Sequence, residues 1–248
     1  MRYLIILFLL FSCKEEVKTI PEKVVKSSNQ VTKKPISKSK ITKNFVLGKH
    51  DYKSNKQFIK LKDKHSYKEN YLDKEVYHAF VKMYDAAKND DVFLKIMSAT
   101  RNFDEQKEIW NAKWLRYNDL SPKERVKKIL EYSSMPTTSR HHWGTEIDLN
   151  MSNNGYFGSG EGKKSFEWLH KNAANFGFHQ VYTSQKNGRT GYHLEKWHWS
   201  YLPLSKKYLD FYNKNISYKD IIGFKGSKFA RERKMIKNYV NGISIKIK

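Results

Sequence analysis

A single cysteine, Cys13, occurs in the 248 residues. That excludes an internal disulfide framework and any Cys-x-x-Cys metal site. No apolar run reaches the ~18 residues of a membrane-spanning helix, which excludes an integral helical membrane protein. The sequence has no glycine pattern of a dinucleotide or phosphate loop and no internal repeat. Acidic residues are scarce, 25 against 48 Lys and Arg, and the formal net charge is +23. Fifteen of those charges lie in two end segments, residues 14–44 and 205–248, so the middle is only mildly basic. A nucleic-acid reader places its basic stripe on a folded face, and no nucleic-acid partner is expected. The excess fits an anionic envelope or lipid surface, or equally a solvated lysine-rich composition with no partner. Aromatic residues, in contrast, reach 15%, more than a chain disordered throughout carries.

Residues 1–13 read as an address. Arg2 is followed by the apolar stretch Tyr3 to Phe11 and then by Ser12-Cys13, a signal-peptide pattern too short to span a bilayer. Leu10-Phe11-Ser12-Cys13 resembles a lipobox, in which Cys13 is lipidated and becomes the mature N-terminus. Phe11 is bulkier than the small residue common there. A lipid anchor implies export and attachment to one membrane face, in the cell envelope, on the periplasmic or outer-surface side. Residues 14–44 contain no aromatic and no glycine and are rich in Lys, Ser, Thr and Val. They cannot offset their ordering entropy by burial and read as a disordered tether.

The folded part is expected over residues 45–204, followed by a helical extension over 205–248 packed on it. Leu72, Val76, Phe80, Val81 and Tyr84 form a helical stripe over Tyr71 to Ala87. Val92 to Met97 has strand length. Asn102 or Asp104 caps a helix through Trp110 and Trp114, and Ser121-Pro122 opens another, ending near Tyr132. Thr145 to Leu149 alternates as a strand. Ser165 to Phe176 reads as a helix stopped by Gly177, Tyr192 to Tyr201 as a strand, and Ser205–Asn213 and Lys228–Val240 as helices. The mixture lacks βαβ alternation and predicts an α+β fold, a small antiparallel sheet with flanking helices.

Two segments concentrate imidazoles and carboxylates: Ser139 to Asp148 (Ser-Arg-His-His-Trp-Gly-Thr-Glu-Ile-Asp) and Glu195-Lys196-Trp197-His198-Trp199. Such donors suit a borderline cation such as zinc, held by three protein ligands with one position open. Ser139-x-His141-x-x-Gly144-x-x-x-Asp148 followed by Glu195-x-Trp197-His198 resembles the VanY-type zinc D-alanyl-D-alanine carboxypeptidases. These are related to D-Ala-D-Ala dipeptidases and the hedgehog signalling domain. Ser98-x-x-Arg101-x-x-x-x-Gln106 looks like a further segment of the family, and the likeness covers roughly residues 70–202. It implies one zinc ion per chain on His141, Asp148 and His198, and Glu195 as general base. It also implies Arg101 at the scissile carbonyl oxygen, and Gln106 and Ser139 along the substrate groove. Trp197 either lines that groove or packs. His142 is a second candidate for the ligand at His141.

The implied activity is hydrolysis of the terminal D-Ala-D-Ala bond of peptidoglycan stem peptides by a monomer. Alternatives on the same scaffold are an L,D-carboxypeptidase, an endopeptidase, or a zinc-bearing wall-binding module that does not cut. Where the family often has Ala, this chain has Glu146. On a strand it shares a face with Asp148, so it either supports a ligand histidine or adds a charge. Glu195 and His198 would lie on opposite faces of a regular strand, so irregular backbone is expected between them. A bend at Gly144 is expected between His141 and Asp148.

Overall fold

In a computed structural model, residues 41–244 are described. The predicted signal peptide, Cys13 and most of the predicted tether lie outside them. The tether reading overreaches at its end. Thr42 caps a short helix, α1 (Lys43–Val46), by accepting from the Phe45 amide, and Val46 is fully buried.

A two-stranded antiparallel ribbon pairs β1 (Phe58–Lys60) with β2 (Tyr71–Asp73). The apolar stripe predicted as one helix from Tyr71 therefore begins as a strand. Asp73 ends it and caps α2 (Lys74–Asn89) by accepting from the Glu75 amide. β3 (Ile96–Ser98) follows, shorter than predicted. Asn102 and Glu105 form a reciprocal capping box at the start of α3 (Phe103–Arg116), and Ser121 and Glu124 do so for α4 (Pro122–Ile129). Each such cap contributes about 1 kcal/mol. After a 3-10 turn (Arg140–Trp143) come β4 (Glu146–Leu149), α5 (Gly160–Asn172), β5 (Phe178–Gln180), β6 (His198–Tyr201) and α6 (Leu202–Asn215). Gly177 takes the left-handed conformation after Phe176, as its stop role required.

β3 to β6 form an antiparallel sheet in the order β3-β4-β6-β5. Alternation divides its central strands. Ile147 and Leu149 of β4 and Trp199 of β6 enter an apolar core with Phe80 and Met83 of α2 and Leu169 of α5. Glu146 and Asp148 of β4, and His198 and Ser200 of β6, fall on the opposite face. Along β3 a bulge sits between Ile96, opposite Leu149, and Ser98, opposite Asp148. Ile96 thus stays in the core while Ser98 joins the polar side. A second core unites Trp110 and Trp114 of α3, Val126 and Ile129 of α4, and Tyr212 of α6 with the C-terminal turns.

No long helix covers Lys228–Val240. A 3-10 turn (Ser227–Phe229) is followed by Lys234 at φ +51° and a π-helical turn (Met235–Val240). Among the described residues, no helix is long and apolar enough to cross a membrane.

Candidate metal centre and groove

The 3-10 turn ends at Gly144, whose φ of +70° swings the chain into β4. A β-carbon there would meet the Phe58 ring at 2.4 Å. Both the left-handed backbone and the contact penalise a side chain. Gly144→Ala is therefore expected to cost about 2–4 kcal/mol, read as a lowered Tm; an unchanged Tm would refute this. The bend brings His141 to Asp148. At the other segment the strand begins only at His198, and Lys196-Trp197 form a turn. That turn brings Glu195 to the same side as His198. Both expected irregularities are present, and Tyr192 to Trp197 are not strand.

Three ligand atoms of His141, Asp148 and His198 lie within 4.8 Å of one another, and all three residues are buried. His141 Nδ1 donates to the Ala99 carbonyl at 2.7 Å. A carbonyl only accepts, so the proton is on Nδ1 and the Nε2 lone pair faces Asp148 Oδ2 at 3.5 Å. His198 Nε2 donates to Glu146 Oε2 at 2.8 Å. Its Nδ1 faces Asp148 Oδ1 at 3.3 Å and Glu195 Oε2 at 3.4 Å. Asp148 Oδ1 is buried without a hydrogen-bond partner.

Lone pairs and carboxylates thus converge on a point that requires positive charge. Burial opposes the His198 imidazolium, but Asp148, Glu146 and Glu195 outweigh it and raise its pKa well above 6.5. A proton supplies the charge in that state, and a divalent cation can replace it. Two imidazole nitrogens and a carboxylate oxygen are the donors of an open zinc site, and the residues present fit one.

Glu146 answers the question its position raised. It is fully buried and holds the far nitrogen of His198, away from the convergence point. Arg140, also buried, donates to Glu146 Oε1 at 3.1 Å and to Ser200 Oγ at 2.9 Å. Burial pushes Glu146 up, but Arg140 and His198 outweigh it and hold it down at about 2. Asp148 is held well below its ordinary value by His141 and His198, again against burial. Burial raises Glu195, with His198 pulling the other way.

Arg101 stands beside the cluster, 3.7 Å from Asp148. Its Nε donates to Gln106 Oε1 at 3.0 Å, and it also donates to the Ser98 hydroxyl. Its backbone is clamped to the 3-10 turn: its amide donates to the His141 carbonyl, and its carbonyl accepts from His142 Nδ1 at 2.7 Å. His142 is therefore not part of the cluster. Its Nε2 accepts from the Thr137 amide, so both nitrogens are used away from the cluster.

Burial depresses His141 to about 4 and His142 to about 3. The unfolded chain takes up these protons near pH 6.5, so stability falls as pH drops from 6.5. Glu195, with its raised pKa, partly offsets this at the acid end. Chelator-treated protein is expected to lose about 2–4 kcal/mol between pH 6.5 and 5. Thermal melts at the two pH values check this; equal Tm values would exclude it.

The cluster opens into a groove of about 600 Å³, lined by Arg101, Gln106, His141, Asp148, Glu195, Trp197 and His198 among others. Trp197 is buried and also forms part of this wall. Ser139 departs from expectation. It starts the 3-10 turn, is buried, and is not among the lining residues. Cys13 lies outside the described residues. Lys113, Arg116, Tyr132, Tyr182 and Tyr192 also line the groove. None belongs to a motif, and no sequence signal singles them out.

A family model described as VanY, D-alanyl-D-alanine carboxypeptidase, matches residues 69–204. The Bacillus subtilis protein YodJ is 33% identical over 138 residues, 53% of this chain and 46% of its own. A D-alanyl-D-alanine carboxypeptidase of Enterococcus faecalis is 29% identical over 122 residues, 48% and 44% respectively. The chain thus aligns with a little under half the length of these relatives. In fold it is similar to the LD-carboxypeptidase LdcB, with a TM-score of 0.51, 22% identity, and 71% of this chain and 82% of that one covered. It is also similar to VanYB, solved in complex with D-alanine-D-alanine, with a TM-score of 0.50, 22% identity, and 67% and 93% covered.

Proposed function

The chain belongs to the VanY family of D-alanyl-D-alanine carboxypeptidases, and from that membership we propose that it is a zinc-dependent D,D-carboxypeptidase. Its substrates are peptidoglycan stem peptides, from which it releases the terminal D-alanine. The observation that supports this most is the convergence of His141 Nε2, Asp148 and His198 Nδ1 on one point, with Glu195 beside it.

His141, Asp148 and His198 would hold a zinc ion, which would supply Lewis acidity and make a nearby water more acidic. Glu195 takes the proton of the attacking water. Its buried carboxyl has a raised pKa, which suits a group that accepts a proton and then returns it. The return goes to the leaving amine of the D-amino acid. Arg101, fixed by Gln106 and Ser98, presents its guanidinium to the carbonyl oxygen as negative charge develops there. Glu146 and Arg140 hold His198 in place and touch no substrate. The retained base argues against a module that binds zinc without cutting, since a structural site needs none.

The test is mass analysis of pentapeptide muropeptides incubated with the full chain, with and without chelator. Loss of one D-alanine that chelator abolishes is the expected result. Loss of the fourth residue from a tetrapeptide would assign L,D-specificity instead. No cleavage by the zinc-loaded protein would refute the enzyme reading.

A further inference from the structure

The groove carries charge along one wall. Lys113 and Arg116 of α3 line it, while the residues Ser152, Asn153 and Asn154 of the same groove are neutral. Lys113 donates from Nζ to the Ser133 hydroxyl, a neutral partner. Among the described residues, no carboxylate lies within ion-pair distance of Lys113 or Arg116. Lys113 is half-buried. Burial lowers its pKa, while the charge of Glu195 favours the ammonium. A partly buried cation without a counter-ion is a cost that packing alone does not explain.

The groove is cationic overall once a divalent ion balances Asp148 and Glu195. Arg101, Lys113 and Arg116 then remain uncompensated, and an anionic ligand is favoured.

The spacing along α3 indicates which anion. Gln106 marks the cluster end, because it holds Arg101. Lys113 lies seven residues further on, about 10 Å along the helix axis, and Arg116 about 15 Å. A carboxylate one residue beyond a cut bond lies within about 5 Å of the reacting carbon. It would stay beside Arg101. A carboxylate two or three residues before the cut bond spans about 10 Å.

We propose that Lys113 and Arg116 form a second recognition point, which takes a free carboxylate borne upstream of the scissile bond. The proposal rests on the carboxypeptidase reading above. Stem peptides offer two such groups. One is the α-carboxylate of the γ-linked D-glutamate; the other is the side-chain carboxylate of a dicarboxylic diamino acid. Amidation removes either charge, and lysine in place of the dicarboxylic residue leaves an ammonium without the carboxylate.

The experiment compares pentapeptides that are free at both carboxylates, amidated at one, or amidated at the other, with the zinc-loaded full chain. A charge-assisted hydrogen bond corresponds to roughly tenfold or more. The free peptide is therefore expected to exceed one amidated peptide about tenfold in kcat/KM, and the weaker one identifies the carboxylate. The double variant Lys113→Met/Arg116→Met is expected to narrow that ratio to within about twofold, while Lys113→Arg preserves it. Equal kcat/KM for all three peptides overturns the proposal, as does a ratio that persists in the double variant. If no peptide is cut, the carboxypeptidase reading fails, and calorimetric titration of the same peptides decides this one. An affinity gap that the double variant closes supports the subsite; equal affinities overturn it. Should the double variant fail to fold, the wild-type peptide comparison still decides.

Discussion

Glu195→Gln is expected to keep its full complement of zinc and to lose turnover of a D-Ala-D-Ala pentapeptide by about 10³-fold. The size follows from the 10²–10⁴-fold contribution typical of a positioned general base. The amide keeps the shape of the side chain but cannot accept the proton of the attacking water. Metal content should hold because the converging atoms belong to His141, Asp148 and His198. Glu195 Oε2 stands 3.4 Å from His198 Nδ1, at the rim of the convergence point. Metal analysis and turnover on one preparation check both halves. Turnover within tenfold of wild type would remove Glu195 from the mechanism. Loss of zinc would make it a ligand instead.

Glu146→Ala is expected to be the most destabilising single change near the site. It leaves the Arg140 guanidinium buried without its carboxylate, and Arg140 Nε and Nη1 already lack partners. Breaking a buried ion pair from one side costs about 3–5 kcal/mol, read as a Tm drop of about 10 °C for a domain of this size. It also frees the far nitrogen of His198, and loss of such a support weakens metal binding about 10–100-fold. The two effects separate in the double variant Arg140→Met/Glu146→Ala. That chain carries no stranded charge and should regain most of the stability, while zinc affinity stays low. If the double variant binds zinc as wild type does, Glu146 matters for folding alone. If the single variant melts as wild type does, the buried pair contributes little.

Part of the His141, Asp148 and His198 cluster was legible because it is written in short-range spacing. His141, Gly144 and Asp148 lie within eight residues, and their chemistry has few other uses. The caps at Asn102 and Ser121 were legible for the same local reason. Tyr192 to Trp197 misread as strand because it runs without a break into the aromatic-rich strand His198–Tyr201. There the backbone turns instead, and Glu195 donates its amide to the Tyr182 carbonyl, a contact between residues far apart in the pattern. The C-terminal helix failed differently. Met235 and Val240 are both buried, and residues five apart share a face only in a wider turn, which a search at 3.6 residues does not see. Ser139 was carried over from the family likeness, and its burial depends on how the turn seats. Lys113 and Arg116 look like any surface cations on a helix. Their place in a groove is set by how α3 rotates against the sheet, which no local pattern encodes.

Asp148 and His198 are register partners across β4 and β6, as are Glu146 and Ser200. A slip of one residue would turn the whole polar set to the other side and bring Ile147 and Trp199 out of the core. The donor set therefore exists only in one alignment of the two strands. A cation that binds there stabilises that alignment against every other by RT ln(1 + [M]/Kd). In this sense a bound metal would proofread the sheet. With zinc at the proposed site, metal supply during folding would become a determinant of yield, and a chain that folds without it would have a weaker guarantee of correct strand pairing.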